Sequence, residues 1–228
     1  MDEQRPHAPA AAMGGRRTID ILVDELTPVR RLKPGRGLAL FVAAGVACAL
    51  AVAVVLGLRD DLEAGRPHGM FLLRLGALLA LALTAGWSAL ASARPGVGKR
   101  NVALWKASLA LAALFPLGAM ASAWLLMDDM PRVVRMLDRA YGYQCLQISM
   151  ACGLIVGAAM VIWLRRGAPV DPERTGWLVG VASGSLGAAA YGMACSENLV
   201  LYIGTWYTLA VGLCALAGRL IVPRLLRW

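Results

Sequence analysis

The sequence predicts an all-α, polytopic membrane protein: six transmembrane helices preceded by a short amphipathic helix on the cytoplasmic side. Three observations carry that prediction. The 228 residues are 59% hydrophobic with a mean hydropathy of +0.62, and only 16% are charged, against roughly 25% in a soluble domain. The apolar residues gather into six runs, at about 38–58, 70–93, 103–127, 143–164, 176–194 and 199–222, each near the ~20 residues that a helix needs to cross the hydrocarbon. Lys and Arg are distributed unevenly over the connections between those runs, as the positive-inside rule requires of a spanning protein.

Residues 1–17, rich in Ala, Pro, Gly and Arg, have no periodicity with which to bury a face and are expected to be disordered. No apolar stretch of signal-peptide type occurs before residue 38. From Thr18 the pattern changes. Ile19, Leu22, Val23 and Leu26 recur at helical spacing while Asp20, Asp24 and Glu25 take the other face, and Pro28 ends the segment. Two or three turns are marginal alone in water, so this helix is expected to order on a partner. Interfacial helices usually carry Lys or Arg on the polar face; an acidic face is repelled by anionic lipid and suits a basic protein surface. Arg30, Arg31, Lys33 and Arg36 then mark the border of the bilayer. The domain division is therefore a leader (1–17), a partner-binding cytoplasmic segment (18–36) and a six-helix transmembrane domain (37–228).

Of the 23 Lys and Arg, one side of the membrane collects the N-terminal group, Arg94, Lys99, Arg100 and Lys106, Arg165, Arg166 and Arg174, and Arg219, Arg224 and Arg227. The other side has only Arg59, Arg66, Arg74, Arg132, Arg135 and Arg139. Both termini are thus expected in the cytoplasm, with the first, third and fifth loops outside. Trp105, Trp163, Trp177 and Trp228 fall near the inner interface, and Trp124, Tyr141 and Tyr143 near the outer one. Within the runs, Gly176, Gly180, Gly184, Ala188 and Gly192 form a four-residue stripe of small side chains that lets a neighbouring backbone approach. Shorter stripes occur at Cys145, Ser149, Gly153 and Gly157 and at Gly204, Thr208 and Gly212. Pro116 is expected to kink the third run.

The polar knot Cys195, Ser196, Glu197 and Asn198 separates the last two runs and reads as a hairpin turn at the outer surface. Cys145 opens the fourth run at the same depth, so the two thiols can lie near one another. Outside the reducing cytoplasm such a pair can form a disulfide or bind a soft thiophilic cation, with Cys145 and Cys195 as metal ligands. Either change would pin or release one end of a helix pair. Cys48, Cys152 and Cys214 lie inside runs, where a thiol behaves as a small apolar residue. Arg74, one turn inside the second run, either snorkels to the outer surface or pairs with a carboxylate such as Glu197. With no CxxC, no paired carboxylates, no histidine triad and no phosphate loop, the chain is not expected to be an enzyme, and no cofactor is implied. The net charge of +9 lies at helix ends and not on a soluble face, so direct nucleic-acid binding is not expected. The alternatives are a membrane thiol oxidoreductase, which would need an activated thiol, and a small-solute transporter, which would need ionisable groups facing each other in mid-membrane.

Leu26–Leu32 (Leu-Thr-Pro-Val-Arg-Arg-Leu), Cys145-Leu146, Leu164–Pro169 (Leu-Arg-Arg-Gly-Ala-Pro), Ala190-Tyr191 with Cys195, Thr205–Leu209 (Thr-Trp-Tyr-Thr-Leu) and the closing Pro223–Trp228 resemble the NrsF family. Those are six-span anti-sigma factors of the bacterial inner membrane, negative regulators of sigma F. The resemblance runs from Thr18 to Trp228. It implies that the cytoplasmic segment sequesters an extracytoplasmic-function sigma factor, with Ile19, Asp20, Leu22, Val23, Asp24 and Leu26 as contact positions. It also implies that Cys145 and Cys195 sense a stress such as a metal or an oxidant. Ser196 stands where the family usually has proline, and the stretch before Arg17 is longer than usual, which makes Met13 a candidate start.

Overall fold

The computed structural model describes residues 34–93, 102–125, 131, 141–167, 169 and 171–226. Among them there is no strand. The chain runs through α1 (Pro34–Leu56), a single turn α2 (Asp60–Glu63), α3 (Gly69–Ser92), α4 (Val102–Leu125), α5 (Tyr141–Leu164), α6 (Pro172–Tyr191) and α7 (Val200–Leu226). The expected amphipathic helix beginning at Thr18 lies outside the described residues.

Five helices are long and apolar enough to cross a membrane: Pro34–Leu56, Gly69–Ser92, Lys106–Leu125, Gly142–Leu164 and Val200–Leu226. Their outward faces are as apolar as their inward ones, since lipid is no more polar than a core. In α1 only a narrow stripe, Gly37, Phe41, Gly45, Cys48 and Val52, is buried, while Val46, Leu50 and Val54 are exposed. The sixth expected span is different. Its helix α6 starts before the apolar run because Asp171 caps it, accepting from the Arg174 amide at 3.0 Å with Pro172 in the first turn. It ends at Tyr191. Glu173, Arg174 and the serines lower its apolarity, so composition alone does not mark it as a span.

That helix is nonetheless the hub, packing against α1, α3, α5 and α7. The glycine stripe explains how. A Cβ added at Gly176 would come within 2.5 Å of the Gly218 carbonyl, and one at Gly184 within 2.8 Å of Cys214 Cβ and 3.1 Å of Val211 Cα. The α6 and α7 backbones therefore touch. On another face, a Cβ at Gly187 would meet the Gly153 amide at 2.5 Å, and Gly153 and Gly157 look back at Gly184 and Ser183. The stripe expected on α7 is only partly the one used. Gly204 faces α4, where its Cβ would lie 2.6 Å from Ala119 Cβ, and Gly212 has nothing within 4 Å, whereas Gly218 takes the contact with α6. By contrast α4, which continues through Pro116, packs chiefly on α7 and α3 and exposes Leu109, Leu114, Leu117, Met120 and Trp124.

Successive long helices run antiparallel, which gives the bundle two distinct ends. At one, Ser92 and Thr175 share a hydroxyl hydrogen bond of 2.9 Å, Arg219 pairs with Glu173 at 3.9 Å, and Trp163 packs over Gly37. Trp163 is buried at 7% exposure, so it is a core side chain at that end and not part of a lipid-facing belt. At the other, the α1–α3 connection meets the α6–α7 turn: the Arg59 amide donates to the Met193 carbonyl at 3.2 Å. Tyr143 of α5 lies 5.6 Å from Trp206 of α7 at this end.

Candidate functional site

The candidate site is built where α6 stops. A helix end leaves its last carbonyls without amide partners, and here the chain tightens through short turns instead of closing on a left-handed cap. Gly192 donates to Ala188 at 3.0 Å, Ala194 to Tyr191 at 3.0 Å and Cys195 to Tyr191 at 3.2 Å. Ordinary helical bonding resumes only with Ile203 to Leu199 at 2.9 Å. The carbonyls of the intervening turn point into the protein, where two arginines from the opposite hairpin meet them.

Arg59, the residue before α2, donates through Nη1 to the Cys195 carbonyl at 2.9 Å and through Nη2 to Asn198 Oδ1 at 3.2 Å. Its Nε pairs with Asp61. Arg74, on the first turns of α3, donates through Nη1 to the Glu197 carbonyl at 3.0 Å and through Nη2 to the carbonyls of Gly192 at 3.2 Å and Cys195 at 3.4 Å. Both are only 4% exposed. Arg59 lies 4.7 Å over the Phe71 ring and Arg74 5.7 Å from it, with Tyr207 5.1 Å away on Arg74's other side. Arg74 thus does not snorkel to the surface, and its grip on residue 197 is on the main-chain oxygen. Buried guanidiniums are tolerated when each donor finds an acceptor, and an unwound turn supplies several carbonyls within a few ångströms.

Asp61 closes the knot from outside. Its other oxygen accepts from the His68 amide at 3.0 Å, and the Arg59 hydrogen bond holds its carboxyl below the usual carboxylate range. His68 in turn caps α3, accepting from the Met70 amide at 3.2 Å.

Against this turn the structure brings together the two sequence-predicted thiols. Cys145 and Cys195 belong to one buried cluster with Leu78, Ala188, Ala189, Tyr191, Tyr202, Ile203 and Tyr207, at 0% and 6% exposure. Neither is in a disulfide. The hydroxyls of Ser149 and Tyr207 are buried against the Cys145 and Cys195 thiols, and the Tyr202 hydroxyl is buried with no hydrogen-bond partner among the described residues. Among the described residues no group of three or more His, Cys, Asp or Glu could hold a metal. Two sulfurs alone suit a soft two-coordinate cation and not zinc, which takes four ligands.

The remaining thiols serve packing. Cys48 and Cys152 meet between α1 and α5, the Cys48 Sγ lying 3.9 Å from the Cys152 carbonyl, and Cys214 fills the space beside Gly153 and Gly184. Ile19, Asp20, Leu22, Val23, Asp24 and Leu26 lie outside the described residues. Sequence reasoning missed Arg59 altogether: it has the composition of an ordinary loop cation, and its only signal was its place between an apolar run and the acidic cluster Asp60, Asp61 and Glu63.

Compared with known proteins, residues 22–228 match the model of a family described as negative regulator of sigma F. The chain is 33% identical over 102 residues to the anti-sigma-F factor NrsF of Caulobacter vibrioides, covering 43% of this chain and 47% of that protein. It is 28% identical over 179 residues to the probable anti-sigma-F factor NrsF of Azospira oryzae, covering 78% and 82%. The chain thus spans about half the length of the first relative and most of the second. No solved structure matches.

Proposed function

Because the chain belongs to the NrsF family of negative regulators of sigma F, we propose that it is an anti-sigma factor of the bacterial inner membrane. It sequesters an extracytoplasmic-function sigma factor through its segment 18–36 and releases it when the thiols of Cys145 and Cys195 change state. The observation that carries the reading is the family match across residues 22–228. In this reading all six long helices cross the bilayer, α6 shielded from lipid by its neighbours. Both termini face the cytoplasm, as the Lys and Arg distribution requires.

The physical division of labour follows from the lengths involved. The acidic, amphipathic segment precedes α1 in the sequence, and α1, at 23 residues about 35 Å long, carries the chain to the end where the thiols sit. A sulfur-centred event there, either disulfide formation driven by a thiol oxidant or capture of a soft cation, alters the buried corner where α5, α6 and α7 meet. Acidic Asp20 and Asp24 meet basic surface on the sigma factor, and Ile19, Leu22, Val23 and Leu26 supply the apolar face. The protein acts as a regulator and not as a catalyst.

Capture of the sigma factor by the full chain in solubilised membranes tests this reading. One sigma factor is expected to co-purify with the native protein and to be lost with the double change Asp20→Ala and Asp24→Ala. A native chain that retains no sigma factor at all would contradict the proposal.

A further inference from the structure

We infer that Arg59 and Arg74 are positioning residues for the Cys195 thiol: their shared grip on the main-chain carbonyls of the 192–198 turn keeps Cys195 in the buried cluster it shares with Cys145 and out of water. The inference rests on the proposed sensing role of the two cysteines and names what governs access to them.

Four observations carry it. The two guanidiniums converge on one acceptor, the Cys195 carbonyl, at 2.9 and 3.4 Å, so the residue they hold is the cysteine itself and not merely its neighbourhood. They come from the α1–α3 hairpin and hold the α6–α7 hairpin, which makes them cross-ties between two separate pieces of chain. Each places three hydrogen bonds there: Arg59 on Cys195, Asn198 and Asp61, Arg74 on Gly192, Cys195 and Glu197. Four of the six bonds fall on main-chain carbonyls, so the arrangement is chiefly a grip on backbone. Finally, Cys195 is only 6% exposed and Cys145 not at all, so a water-borne reagent reaches either sulfur only when the turn lifts, and lifting it breaks these hydrogen bonds.

Burying two like charges side by side is costly unless each is fully hydrogen-bonded. Losing either arginine therefore leaves carbonyls of the turn without their donors and removes one of its two cross-ties. Lysine is a poor substitute, because a single ammonium lacks the planar fork that spans carbonyls of residues 192, 195 and 197 at once.

The test is the rate at which a water-soluble maleimide labels each cysteine in open membrane fragments carrying the full chain, together with a sigma-dependent reporter in cells. Arg74→Gln and Arg59→Gln are expected to speed labelling of Cys195 at least tenfold and to leave Cys214, buried between α5, α6 and α7, unchanged. Arg66→Gln, an exposed cation of the same loop, is expected to change neither. If the glutamine variants do not accumulate, Arg74→Lys, which keeps the charge but not the fork, is expected to give a rise of several-fold. Labelling of Cys195 within twofold of the native rate in the arginine variants overturns the inference. So does a parallel rise at Cys214, which marks general loosening. Faster labelling of Cys195 with a reporter that derepresses at a lower dose of thiol oxidant than in the native strain supports both the positioning role and the sensing role. Faster labelling with an unchanged oxidant dose response supports the positioning role and overturns the sensing role on which it was built.

Discussion

Helices α4 and α6 invite comparison. Both are of similar length, 24 and 20 residues, yet the more apolar of the two lies at the rim and the less apolar at the hub. Helix α4 turns Leu114, Leu117 and Met120 outward at 53%, 60% and 67% exposure, while α6 buries glycines, alanines and even Ser183 and Ser185 against four neighbours. In water this would be inverted. In lipid, burying an apolar side chain gains little because the tails outside are equally apolar, and what draws helices together is the close approach that small side chains permit. Between these two helices burial follows smallness and not hydrophobicity.

The sharpest way to break that comparison is to add a methyl group where backbones touch. Gly180→Ala is expected to destabilise the bundle by about 1–3 kcal/mol, seen as a lower midpoint of thermal unfolding in detergent, because α7 main chain at Cys214 and Ala215 occupies the space. Gly212→Ala, on α7 with nothing within 4 Å of the added carbon, is expected to change sign, stabilising by about 0.5–1 kcal/mol through lost helix-interior glycine entropy. A smaller effect is expected at the rim: Leu114→Ala on α4 is expected to stay within about 0.5 kcal/mol in the same assay, since lipid or detergent replaces the lost contacts. An α4 that proved as sensitive as α6 would mean that its outward face is covered by protein.

The smallest effect concerns the knot at the turn end and depends on pH. Asp61 is held below its ordinary range by Arg59, so its contribution to stability is present above the unfolded carboxylate value of about 3.9 and is lost as pH falls through the lower folded value. Asp61→Asn is expected to lower the unfolding midpoint slightly and equally at pH 7 and pH 5. The gap to the native protein should close below about pH 4. A gap that stayed constant down to pH 3 would show that the ion pair is not its source.

Periodicity and the glycine stripe were enough to read α6 as a tightly packed helix from the sequence, and the positions of Cys145 and Cys195 near adjoining run ends were enough to suggest their meeting. Three features were not legible, each for a physical reason. The start of α6 is set by the Asp171 cap and not by apolarity, so a run-based reading begins at 176, four residues late. Which glycine of α7 faces α6 depends on helix rotation, which a stripe of small residues does not define when small residues lie on several faces, and so the stripe Gly204, Thr208 and Gly212 did not reveal that Gly218 takes that contact. The arginine knot depends on carbonyls exposed by an unwound turn, and no side-chain pattern in the sequence announces a main-chain acceptor. Arg74 was therefore read as a snorkelling cation or the partner of a carboxylate, and Arg59 as loop.

The central claim is that the state of the Cys145 and Cys195 thiols governs hold on the sigma factor. Its most direct measurement is the amount of sigma factor retained per copy of the full chain in isolated membranes before and after treatment with a thiol oxidant, for the native protein and for Cys195→Ser. The account predicts that oxidation strips most of the sigma factor from native membranes and leaves it bound to the variant. Equal loss from both, or retention by both, would contradict it.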